Sequence, residues 1–220
     1  MQARYYDPVV GRFMAVDPMQ FSGASPEYFG RYSYAANNPM NASDPNGREV
    51  VYNFKNGATY KDGILTIGYL AMSPTARGEL AQIAASNQKY TISFDRSATY
   101  HSYDPETRTV VTNPELGQRV ASSGEVQAPA LLTGHEVSHA AQHDRVGTEA
   151  YVNSLVPEMK TKVTAIGVEM IVTAASREEA RATATEGKIA SELGQPARND
   201  YGDESGGVTT CGPVSSSECQ

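Results

Sequence analysis

The chain has little with which to cross a membrane or to hold nucleic acid. No stretch of its 220 residues approaches the roughly 20 consecutive apolar residues that a bilayer-spanning helix needs. The opening MQARYYDP lacks the charged-then-apolar order of a secretory signal, so any export would run through a specialised system that does not read such a signal. Lys and Arg number 18 against 25 acidic residues, a net charge of -7, and they stand singly. No basic stripe is there to release counterions from a phosphate backbone, which argues against nucleic acid as a partner. Cysteine is limited to Cys211 and Cys219, both within the Gly/Ser-rich stretch TTCGPVSSSECQ. A short bridge and two ordinary thiols are equally compatible with that spacing, so no compartment follows from them. What remains is globular, 40% hydrophobic and 20% charged, and long enough for one ordinary domain with an appendage.

Residues 1–47 differ in texture from everything after them. Tyr alternates with turn chemistry in ARYYDPVVGRF, AVDP and RYSYAANNPMNASDPNG, the pattern of short strands joined by tight turns. The block Arg4-Tyr5-Tyr6-Asp7-Pro8, Gly11-Arg12-Phe13, Asp17-Pro18, Tyr32 to Tyr34, Asn37-Asn38-Pro39 and Asp44-Pro45-Asn46-Gly47 resembles the carboxy-terminal end of the core of Rhs (rearrangement hotspot) proteins. That resemblance implies a β-rich remnant of a large shell, with a variable toxin beginning just after it. It also implies self-cleavage at the junction, for which Asp17 and Asp44 would be the aspartates, although Arg48 stands where that family usually has Leu.

From residue 48 the reading is mixed α and β. GILTIGYL after Lys61-Asp62-Gly63, YTISFDR at 90–96 and TRTVVTN at 107–113 are rich in Ile, Val, Thr and Tyr and are expected as strands. Between the first two, SPTARGELAQIAASNQ offers Ser73 as N-cap, Pro74 at the first helical position, and Leu80, Ile83 and Ala84 at helical spacing. Tyr103-Asp104-Pro105-Glu106 reads as a hairpin turn. Residues 128–143 and 176–193 carry helical patterns, 148–175 is expected to be helical, and 203–220 to be a flexible tail.

The chemistry concentrates in His135-Glu136-Val137-Ser138-His139. On a helix, residues four apart lie one turn above each other, so His135 and His139 can meet one zinc ion, with Glu136 placed as general base toward the water that zinc activates. Leu131, Leu132, Ala140 and Ala141 give this helix an apolar side to bury. His143, one turn further, reads as a polar histidine at a helix end near Gly147. A catalytic zinc wants a third protein ligand and an open position. SREEARATATEGKIASELG offers Glu178, Glu179, Glu186 and Glu192, of which Glu179 is the candidate, with Glu178 as alternative because the helix phase is open. Glu179 also sits three residues after Ser176, where a capping box would place it. Glu186, two turns on, shares its face and suits a partner behind a ligand.

The order Tyr-x-x-Tyr-Asp-Pro, Val-Val-x-Asn-Pro, His-Glu-x-x-His-Ala, Glu-Glu-x-Arg, Glu-x-Lys-Ile-x-x-Glu-Leu-Gly-x-Pro and Arg-x-x-Tyr, over roughly residues 100–202, resembles the NleD-like zinc peptidase effectors. More distantly it resembles clostridial neurotoxin light chains. That likeness implies Glu179 as zinc ligand, Glu186 as support for a ligand histidine, and Arg198 with Tyr201 facing the substrate carbonyl; Ala182 departs from the Thr that usually follows Glu-Glu-x-Arg. The expected fold is α+β, a zincin-like metallopeptidase domain over 48–202 preceded by the Rhs-core remnant. The expected activity is that of a zinc endopeptidase toxin, with a protein substrate, an Rhs shell and a cognate immunity protein as partners. The alternatives are a degenerate zincin-fold binding module or a structural plug of the shell.

Overall fold

The computed structural model describes the backbone of residues 6–7, 12–13, 50–164, 167–200 and 202–219, and the side chains of 50–156, 176–200 and 202–219. Asp17, Asp44 and Tyr201 lie outside the described residues. The chain divides into two compact units, Met1–Glu49 and Val50–Gln220. In the first, the described part is a minimal antiparallel hairpin of β1 (Tyr6–Asp7) with β2 (Arg12–Phe13).

The second unit is mixed α+β. Its main sheet has four strands, β3 (Val51–Lys55), β4 (Thr91–Asp95), β5 (Ser102–Asp104) and β6 (Thr109–Thr112), in the order β3-β4-β6-β5. β3, β4 and β6 run parallel, and β5 closes one edge antiparallel. The β5–β6 connection is the expected hairpin. Asp104 accepts hydrogen bonds from Glu106 N (2.9 Å) and Thr107 Oγ1 (2.6 Å), and Arg108 turns the chain back at φ 50°.

Ile92 and Phe94 on β4 and Val110 on β6 form one core with Ile83 of α2 (Pro74–Ala85) and Val137, Ala140 and Ala141 of α3 (Pro129–Val146). α2 starts as its residues suggest. The Ser73 hydroxyl accepts from Ala76 N, and Pro74 occupies the first turn, where its missing N–H leaves no bond unmade. A second cluster joins Leu70 of α1 (Tyr60–Leu70), Ala76, Leu131, and Ile189 and Ala190 of α5 (Arg177–Leu193).

α1 is a correction. The stretch GILTIGYL, expected as a strand, is helical because Thr59 and Asp62 form a reciprocal capping box, and because Asp62, Gly63, Thr66 and Leu70, at helical spacing, are its buried face. The expected helix over 148–175 is also overturned. It is a short α4 (Thr148–Ser154) followed by an antiparallel hairpin of β9 (Pro157–Thr164) and β10 (Gly167–Ser176). The alternating β-branched residues of MKTKVT and VEMIVT carry that preference.

The expected flexible tail is corrected too. β11 (Glu204–Thr209) pairs antiparallel with β7 (Leu116–Val120), which pairs with β8 (Val126–Gln127) in a three-stranded sheet. A Cβ on Gly117 would lie 2.6 Å from Gln127 O and 2.7 Å from Thr210 Cγ2, so only glycine allows this approach of the three segments. β8 runs directly into α3. No helix among the described residues is long and apolar enough to cross a membrane.

Candidate metal centre

α3 carries both histidines through the middle of the unit. Ala128 is its N-cap with no capping side chain, Pro129 opens it, and Gly147 at φ 80° ends it. Its apolar residues fill both core clusters, so the helix is buried around most of its circumference. At Gly134 an added Cβ would approach Leu70 Cδ2 to 3.0 Å and Ile189 Cδ1 to 3.4 Å. The missing side chain therefore lets α1 and α5 close on α3 beside His135. α5 begins where Ser176 Oγ accepts from Glu179 N at 3.1 Å. The return half of a capping box is not made, because the Glu179 side chain turns toward the histidines.

Three potential ligand atoms converge there. His135 Nε2 lies 3.1 Å from His139 Nε2, and Glu179 Oε2 lies 3.4 Å from the first and 3.5 Å from the second. Nitrogen and oxygen ligands at zinc distances and a tetrahedral angle are separated by about 3.3–3.4 Å. The triangle thus has the dimensions of three ligands around one ion. Its chemistry agrees, because Glu179 Oε2 is buried and has no hydrogen-bond partner among the described residues. Three electron-rich atoms facing one another need a cation or a proton between them.

The far nitrogens settle the tautomer. His135 Nδ1 is 3.0 Å from Glu186 Oε2, and His139 Nδ1 is 3.0 Å from Glu178 Oε1. Each Nδ1–H is thereby donated to a carboxylate, leaving both Nε2 lone pairs for the ion. The choice between Glu178 and Glu179 is resolved by the same contacts: Glu179 faces both Nε2 atoms, and Glu178 backs His139. Arg181 holds Glu178 from Nε (2.9 Å) and Nη2 (2.6 Å) and reaches Ser138 O at 2.9 Å, tying α5 to α3. The sequence signal for Glu178 and Arg181 was their i, i+3 spacing, which puts them on one helix face.

Arg198 takes a different place from the one expected. It borders the cavity, but its Nε donates to Glu186 Oε1 at 3.0 Å, its Nη2 bonds Glu186 Oε2, and its Nη1 donates to Glu204 Oε2 at 3.0 Å. The guanidinium is a buried clamp on the carboxylate behind His135 rather than a group turned to substrate. Gln127 Nε2 adds a 2.8 Å bond to Glu186 Oε1. Gly194, left-handed at φ 65°, turns the chain after α5 so that this return is made.

Burial works against a charge on His135, but Glu179 and Glu186 outweigh it and hold its pKa up, at about 9. Glu186 is opposed by burial yet brought down to about 2 by His135 and Arg198. Glu136 is pushed up, first by burial and then by Glu179 and Glu186, against the pull of both histidines. It lines a cavity of about 360 Å³ together with His135, His139, Glu179 and Tyr151, and has no hydrogen-bond partner among the described residues.

His143 sits in the last turn of α3 beside Gly147, as expected of a polar helix-end histidine, but not at the surface. It is buried, with Nδ1 2.6 Å from Tyr103 OH and Nε2 2.8 Å from Thr148 Oγ1, and stacks on Tyr151 with centroids 4.8 Å apart. Tyr151 in turn sets its ring edge-on to His139 at 6.5 Å. Its phenol has no hydrogen-bond partner among the described residues, and sequence reading gave it no role. Of the main sheet, Ser102 and Tyr103 of β5 border the cavity, and β6 lies between β4 and β5.

No protein-family profile matches the chain, and no solved structure matches it. A curated relative, salivary gland surface protein 1 of Aedes aegypti, is 43% identical over 49 residues, which are 22% of this chain and 1% of that protein. The chain therefore spans about a hundredth of the length of the curated relative it matches.

Proposed function

We propose that this chain is a zinc-dependent endopeptidase with a gluzincin-type centre on a zincin-like fold. The observation that carries the reading is the triangle of His135 Nε2, His139 Nε2 and Glu179 Oε2, with sides of 3.1 to 3.5 Å, beside a cavity into which Glu136 brings an unpartnered carboxylate. Zinc, when bound, supplies polarisation of a peptide carbonyl and a nucleophile near neutral pH. Glu136 takes the proton of the attacking water and returns it to the leaving amine. Tyr151, which lines the same cavity, would donate to the developing oxyanion. Glu178 with Arg181, and Glu186 with Arg198, hold the two imidazoles in orientation.

The substrate class that fits is an extended protein segment. β5 is the edge of its sheet and borders the cavity, so a substrate backbone can add to it through main-chain hydrogen bonds. We further read the chain as the C-terminal toxin of an Rhs protein, delivered into a recipient cell and restrained in kin by an immunity protein. That part rests on the motif block of residues 4–47. Glu136→Gln is expected to retain zinc while toxicity in a susceptible cell falls by about two to four orders of magnitude. Equal toxicity of variant and wild type contradicts the peptidase mechanism.

A further inference from the structure

Cys211 and Cys219 are joined in a disulfide, and the loop they close is built into the N-terminal end of the metal helix. α3 starts without a capping side chain, and an uncapped first turn leaves amide donors unsatisfied. Ala130 N, in that turn, finds its acceptor in Pro213 O at 2.7 Å, inside the disulfide loop, and Pro213 is buried there. The loop holds neighbouring segments as well. Ser216 Oγ is 2.7 Å from Gln195 Oε1, which also accepts from Ala128 N at 3.3 Å. Cys219 N donates to Thr209 O at 3.0 Å, and Glu218 pairs with Arg119 of β7. Just before the loop, β11 carries Glu204, the carboxylate that completes the Arg198 clamp behind Glu186 and His135. Cap and clamp thus both depend on residues 204–219 keeping their course. Both cysteines are exposed, so a thiol can reach the bond, whereas Ala128 and Ala130 at the start of α3 are buried.

We propose that the Cys211–Cys219 disulfide is a redox latch on the metal centre, with the oxidised chain as the competent form and a dithiol reductant as its opposing partner. Reduction transfers two electrons and two protons from the dithiol. The S–S bond breaks, two cysteine thiols form, and the reductant leaves as its own disulfide. The direction follows from the geometry. No residue of 210–219 lines the cavity, so the loop is not a cover over it, whereas Glu204 and Gly207 of β11 are part of its wall. Opening the loop withdraws the Ala130 cap and loosens β11. A compartment rich in reduced thiols would accordingly shorten the life of the loaded site.

The inference takes the zinc reading as given for one of its two measurements and not for the other. Zinc-loaded wild type and the Cys211→Ser/Cys219→Ser double variant are compared for release of zinc to the chelator 4-(2-pyridylazo)resorcinol, and for amide exchange of the segment containing Ala130 by mass spectrometry. The serine variant avoids any added thiol that would itself bind zinc. Its zinc release is expected to be about tenfold faster, with earlier exchange at the start of α3. Wild type treated with tris(2-carboxyethyl)phosphine should join the variant, and the variant should not respond to the reductant. Equal release and equal exchange in the oxidised wild type and the variant overturn the latch. If wild type takes up no zinc, the metal reading falls, and exchange at Ala130 alone decides the latch: unchanged protection overturns it.

Discussion

The two histidines of α3 are held by supports of the same chemistry built in different ways. Behind His139 the support is local. Glu178 and Arg181 sit three residues apart on α5, and Arg181 reaches back to Ser138 O, next to the ligand itself. Behind His135 it is assembled from four places: Glu186 on α5, Gln127 on β8, Arg198 after α5, and Glu204 on β11. Forming α5 and packing it on α3 sets the first. The second is complete only when the chain has returned beneath α3 and paired β11 with β7. Half of the centre is thus a product of helix packing, and the other half reports on the C-terminal segment.

The comparison breaks most visibly at Arg198. Its side chain is 4% exposed and that of Glu186 is 0% exposed, so Arg198→Ala leaves a buried carboxylate without its cation. The expected cost is about 3–5 kcal/mol, read as a fall in Tm, with zinc affinity lowered by about 10- to 100-fold. Arg181→Ala tests the local side. Arg181 is 27% exposed, and water can take over part of its role, so about 1–2 kcal/mol is expected and a smaller loss of zinc. If Arg181→Ala proves the more damaging, the division into a local and an assembled support is wrong.

His101 sharpens the same contrast, because it lines the cavity with its ring on Thr112 Oγ1 and Leu116 O and, among the described residues, no carboxylate bonded to it. Burial pushes its pKa from 6.5 to about 4, with Leu116 O opposing. The unfolded chain takes up this proton below about pH 6.5 while the folded chain refuses it until about pH 4. Stability from this group is therefore full above about 6.5 and lost as pH falls through about 4. His101→Asn should show a shallower fall of Tm between those values than wild type. An equal slope would mean that the titration lies elsewhere.

Much of the centre was legible because its parts are local. The four-residue spacing of His135 and His139, and the seven-residue spacing of Glu179 and Glu186, fix which side chains share a helix face before any fold is known. α2 announced itself through Ser73 and Pro74, and the β5–β6 hairpin through Asp104-Pro105. What stayed hidden depends on partners distant in sequence. Arg198 reads as one arginine in a loop until β11 and Glu186 are beside it. β11 itself, ESGGVT, has only Val208 and Thr209 as strand formers beside two glycines and owes its existence to pairing with β7. GILTIGYL has the composition of a strand, and its helix follows from the Thr59–Asp62 cap and a buried face that composition does not express.

The central claim is that one metal ion sits between His135, His139 and Glu179. Elemental analysis of the purified chain, with Glu179→Ala and Glu178→Ala in parallel, tests it most directly. About one zinc per wild-type chain, most of it lost in Glu179→Ala and mostly kept in Glu178→Ala at saturating metal, is the predicted result. A folded wild type that takes up no zinc when incubated with it, or a Glu179→Ala variant that binds as well as wild type, contradicts the account.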